Sequence, residues 1–145
     1  MRRLRLLALI GSGMLVVGLV LSTPAMATLA APETQTVQAG QVTIKATWHG
    51  SDAGPIFTVV LDTHAVNLDA YDLSQLAVLR TDQAVDVVPM IWDAPAGGHH
   101  REGTLTFPLE QVDGSLVISG ETRMIELRIR DVGGVPETVL TWVLS

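Results

Sequence analysis

The sequence predicts an all-β, immunoglobulin-like β-sandwich of about seven antiparallel strands, and three observations carry that expectation. Short apolar or alternating runs recur at spacings of roughly 8 to 15 residues, separated by Gly, Pro, Asn and Asp. Beyond the N-terminal region no stretch has the sustained 3.6-residue periodicity of an amphipathic helix. The 145 residues include no cysteine, so a packed core must supply the stability that disulfides would otherwise give.

The N-terminal region is set apart by its composition. Met1-Arg-Arg-Leu-Arg5 is basic, Leu6 to Leu21 is mostly apolar, and Ser22-Thr-Pro-Ala-Met-Ala27 ends in the small residues that a signal peptidase accepts. Residues 1–27 are therefore expected to be a signal peptide cleaved between Ala27 and Thr28. The rival reading is an uncleaved anchor, but the apolar run is diluted by Gly11, Ser12, Gly13 and Gly18 and falls short of the roughly 18 to 20 residues that span a bilayer. The expected location is periplasmic or extracellular. Residues 28–40, small and polar, read as a flexible lead-in or an edge strand, and 41–145 as the single β domain.

Within that domain Val42, Ile44, Ala46 and Trp48 alternate with polar residues, the period of a half-buried strand. Ile56 to Asp62 is apolar on both faces and reads as a central strand. Leu73 to Arg80 reads as one helical turn running into a strand. Val85 to Trp92 is a strand that Pro89 confines to an edge or a bulge. Thr104 to Leu109 is a short strand, and Val112-Asp-Gly-Ser115 a tight turn. Met124 to Asp131 has the cleanest alternation, Ile125, Leu127 and Ile129 against Glu126, Arg128 and Arg130. Asp131-Val-Gly-Gly-Val-Pro136 turns the chain into a last strand, Thr138 to Leu144.

Charge narrows the partners. The nine basic residues less Arg2, Arg3 and Arg5 leave six against fifteen acidic ones in the mature chain, a net of −9. Lys45 is its only lysine and its arginines are dispersed, so the basic stripe needed for nucleic acid or an anionic membrane surface is missing. Cations and envelope proteins are the expected partners.

Two histidine-bearing stretches hold the candidate chemistry. In "LDTHAVNLDAYD", Asp62 and His64 stand two apart at a strand end; in "DAPAGGHHREGTL", His99 and His100 follow two glycines. Imidazole nitrogen suits copper and zinc, and a carboxylate can complete the shell. His64, His99, His100, Asp62 and Asp93 are thus the candidate metal ligands, with one of the adjacent histidines preferred because successive side chains diverge. The competing reading makes Gly97-Gly98 a turn with positive φ and the histidines loop-tying hydrogen-bond partners. A hydrolase is a third possibility; it requires a serine within hydrogen-bond reach of a histidine, and no nucleophile-elbow motif is present.

The segments "LDTHAVNLDAYDL", "WDAPAGGHHREGTLTFP" and "LRIRDVGGVPETVLTW" resemble the landmarks of an uncharacterised family of small exported or membrane-anchored prokaryotic β-sandwich proteins. The resemblance covers about Gln41 to Val143 and rests on Asp62-Thr-His64, Gly97-Gly-His-His100 and Gly134-Val-Pro136 in combination. It implies an exported β domain and assigns no catalytic residue or cofactor. Thr138 stands where the family pattern has a basic residue after Pro136-Glu137. Together these readings lead to an exported, acidic, non-catalytic binding or interaction module, holding a divalent metal if the two histidine loops converge. The alternative is a purely structural accessory domain of the envelope.

Overall fold

The computed structural model describes residues 33–52 and 54–144. The expected signal peptide and cleavage site lie outside them. The chain is an all-β sandwich of two antiparallel sheets. In the first, β1 (Glu33–Ala39), β2 (Val42–Trp48) and β3 (Ile56–Asp62) form a meander continued by β7 (His100–Thr106) and β6 (Ile91–Asp93). The second has the order β5 (Asp86–Val87), β4 (Ala77–Thr81), β8 (Met124–Val132) and β9 (Val135–Val143). No helix among the described residues is long and apolar enough to cross a membrane.

Alternation along the strands builds the core between the sheets. Val42, Ile44 and Ala46 of β2, Phe57, Val59 and Leu61 of β3, and Ile125, Leu127 and Ile129 of β8 are all buried, each set on one face because successive side chains point to opposite sides. Phe57 is the centre of an aromatic cluster, with Trp48, Trp142 and Phe107 at ring-centroid distances of 4.9, 5.1 and 5.9 Å. Trp142 also donates its indole N–H to the Glu33 carbonyl at 3.0 Å, which ties β9 of one sheet to β1 of the other.

The described residues form nine strands, against about seven expected, for two local reasons. Glu33–Ala39, at the end of the lead-in, pairs along its whole length with β2, so the edge-strand alternative is the one realised. Val85 to Trp92 divides at Pro89: Asp86–Val87 pairs with β4 and Ile91–Asp93 with β7, so the chain changes sheets there. A proline has no N–H to give a ladder and sits where pairing stops. The expected helical turn is present as α1 (Leu73–Leu76), capped by Asp72, whose side chain accepts from Ser74 N–H.

Two hairpin turns, one from each sheet, meet at one end of the sandwich. Gly40 (φ +58°) begins the two-residue turn between β1 and β2, and Gly133 (φ +60°) with Gly134 (φ +77°) joins β8 to β9. The backbones are in direct contact: a methyl group on Gly133 would lie 2.0 Å from the Ala39 carbonyl oxygen, and one on Gly40 2.2 Å from that of Gly133.

Candidate functional site

At this same end the two histidine-bearing stretches converge. Asp62, last in β3, is the cross-strand partner of His100, first in β7. The strand β7 thus begins four residues before the expected Thr104, because the Gly97–His100 turn closes early: His100 N–H donates to the Gly97 carbonyl at 3.1 Å and Gly98 takes φ +61°. Beyond the ladder the loops are stitched by backbone bonds, Thr63 N–H to His99 O at 3.0 Å and Leu68 N–H to Gly98 O at 2.7 Å. His99 Nδ1 lies 3.0 Å from the Val66 carbonyl; a carbonyl only accepts, so Nδ1 carries the proton and Nε2 is left outward.

Asp69 and Arg101 complete this joint. One oxygen of Asp69 accepts from Gly97 N–H at 2.8 Å and Gly98 N–H at 3.3 Å. The Gly97 bond holds the carboxyl below its usual range against the opposing effect of desolvation, helped by the Gly98 bond and the Arg101 charge. A depressed folded pKa stabilises the fold above the ordinary carboxylate value of about 4, and that contribution is lost as the pH falls through the folded value. Arg101 shares the strand parity of buried Leu105 and so points inward. Its guanidinium donates to the carbonyls of Tyr71 at 2.7 Å and of Leu68, Ala94 and Pro95 at 3.2 Å each, and it lies 5.6 Å from the ring centroid of Trp92. Tyr71 carries the link onward, its hydroxyl accepting from Gly133 N–H at 3.1 Å, while Thr63 Oγ1 donates to the Gln41 carbonyl at 2.7 Å. One arginine therefore joins both loops, its partner Tyr71 joins them to the β8–β9 turn, and Thr63 joins them to the β1–β2 turn.

The candidate ligands are only partly assembled. His100 Nδ1 and Asp62 Oδ2 are 3.7 Å apart on the outer face, both side chains more than half exposed. His64 is exposed on the loop after β3. Asp93 pairs with Thr104, four residues along β7 from His100, which is roughly 13 Å at the rise of a strand. Among the described residues no group of three or more His, Asp or Glu is placed to hold one metal ion. Serine hydroxyls bond elsewhere, Ser74 to Asp72, Ser115 to Asp113 and Ser119 with Thr122. His49, outside both stretches, shares a hydrogen bond with Thr58 at 2.8 Å.

No family model, curated protein or solved structure matches this chain.

The opposite end of the sandwich carries a cleft of about 650 Å³. One wall is β5 with Val88; the other runs from Pro108 to Asp113. Met90, Ile91, Leu109 and Leu116 are exposed nearby, as is Val88 in the wall, and Val112 at the lip is fully exposed. The second wall is the start of a tight turn: Gln111 N–H donates to Ser115 O at 2.8 Å and Gly114 N–H to Gln111 O at 3.0 Å. Every charged residue lining the cleft is acidic: Asp86, Glu110 and Asp113. Asp86 is neutralised by the Arg80 guanidinium, which also holds its carboxyl below the usual range. The Ser115 hydroxyl and N–H do the same for Asp113 without supplying a positive charge.

Sequence reasoning passed over Arg101, although an arginine on the inward parity of a strand, between an expected loop and Leu105, is the signal that marks it. It also passed over the cleft. Val112 was legible only as part of a turn, and nothing in its neighbours announces an apolar side chain left in water.

Proposed function

We propose that this chain is an exported, non-catalytic binding module whose partner is another envelope protein, held in the apolar cleft at the end remote from the histidines. The observation that carries this reading is the cleft itself, with apolar Val87, Val88, Pro108 and Val112 in its lining, Val88 and Val112 among them exposed although a full core is buried elsewhere. Exposed apolar side chains gathered in one cleft mark interaction sites, and the cleft falls within the roughly 300 to 1,000 Å³ of binding pockets. Export rests on the basic, apolar and small-residue pattern of residues 1–27. The reading is tested by placing a photoreactive side chain at position 112 of the full chain in its native envelope. It requires one discrete cross-linked protein species, and a smear of non-specific adducts counts against it.

The Asp62–His100 pair favours a second reading, a divalent copper or zinc ion held by two protein ligands and completed by water. Such a site is expected to be weak. Calorimetric titration with Zn²⁺ at pH 7 is predicted to give a dissociation constant above about 10 µM, and His100→Ala to abolish the heat. Heat unchanged by that substitution would remove this reading.

A further inference from the structure

We infer that the cleft takes an extended segment of another protein in which apolar side chains alternate with lysine or arginine. This rests on the interaction-module reading and specifies its partner. Three observations select the occupant. The floor and walls are apolar through Val87, Val88, Pro108 and Val112, so the segment must bring apolar side chains. Glu110 and Asp113 stand exposed on one wall with no arginine or lysine among the described residues bonded to them, whereas Asp86 on the other is already paired with Arg80. The charge still to be matched is therefore negative and lies on one side, which suits a segment presenting cations along one edge.

The third observation concerns the backbone. The strand β5 is the last of its sheet: one side pairs with β4, no strand among the described residues pairs with the other, and its residues Asp86 and Val87 line the cleft. An extended segment laid there would add to the sheet by main-chain bonds, its alternate side chains falling into the apolar cleft and toward the acids. A second copy of this chain is a poor occupant. The mature chain's net charge of −9, six basic against fifteen acidic side chains, repels the same charge on its twin, and its own edge offers the same acids.

The probe is a fluorescent, end-blocked hexapeptide of alternating Lys and Val, compared with its Glu–Val counterpart, against the mature chain at 50 and 500 mM NaCl. Saturable binding of the Lys peptide at about 100 µM or tighter is expected, since so short a segment buries little area. It should weaken several-fold at high salt and at least about tenfold in the double variant Glu110→Lys, Asp113→Lys, which should in turn accept the Glu peptide. Both positions are exposed, so that variant is expected to fold; retention of the cooperative unfolding transition checks it. Equal binding of both peptides, binding indifferent to the double variant, or no saturable binding would each overturn the inference. A dimer in sedimentation velocity that Val112→Lys dissociates would overturn it in favour of a second copy. If the cross-link from position 112 forms while the Lys peptide fails to bind, the interaction reading stands and only this assignment of partner falls.

Discussion

Arg101→Met is expected to lower the unfolding free energy by roughly 3 kcal/mol, read as a drop in the urea midpoint at nearly unchanged slope. The size follows from what the side chain holds. Four carbonyls, those of Leu68, Tyr71, Ala94 and Pro95, receive its donors. A hydrogen bond to a charged group contributes about 1.5 to 3 kcal/mol, and carbonyls deprived of it cost their own desolvation unless water replaces the donor. Methionine keeps an unbranched apolar stem but gives up both these bonds and the guanidinium's place over the Trp92 ring, so the loss reports the guanidinium. Arg101→Lys should recover less than half, because one ammonium cannot reach carbonyls arranged around a planar fork. A midpoint unchanged in Arg101→Met would show that the joint between the histidine loops carries no stability.

Gly133→Ala should cost about as much or more, and Gly134→Ala serves as its internal control. Both glycines have positive φ, at +60° and +77°, a conformation that costs an L-residue about 1 to 2 kcal/mol. Around Gly134 there is open space, and its substitution should cost only that strain. At Gly133 the added methyl would lie 2.0 Å from the Ala39 carbonyl oxygen. The two turns must then part, which threatens the Gly133 N–H bond to Tyr71 as well, and overpacking of this kind adds about 1 to 3 kcal/mol. Thermal unfolding of the two variants side by side gives the comparison. Equal losses would mean that the turns are not in the close contact described.

How much of this was legible in the sequence depended on the kind of interaction. Strands β3 and β8 were read at or within one residue of their ends, because Ile56 to Asp62 and Met124 to Asp131 bury side chains in patterns that repeat along the chain. The helical turn into β4 was also read, and the structure shows what holds it, Asp72 capping the turn before Leu73. Pro89 announced an interruption, yet that the chain changes sheets there follows from the pairing of Leu79 with Val87 and of Ile91 with Thr106, which no local pattern encodes. The candidate ligands divided along the same line. Asp62 and His100 are brought together by strand register, whereas Asp93, close to the histidines in sequence, is carried away by its pairing with Thr104. Arg101 was missed because its acceptors are backbone carbonyls, and every residue has one.

We propose that the working surface is the cleft end and that the histidine end is a structural joint. A photoreactive phenylalanine analogue placed in turn at Val112 and at His64, both exposed, compares the two ends in the same full-length chain and the same native envelope. A discrete protein adduct from position 112, suppressed by Val88→Asp, with none from position 64, is the result this account predicts. An adduct from position 64 with none from position 112 would contradict it and return the function to the histidine loops.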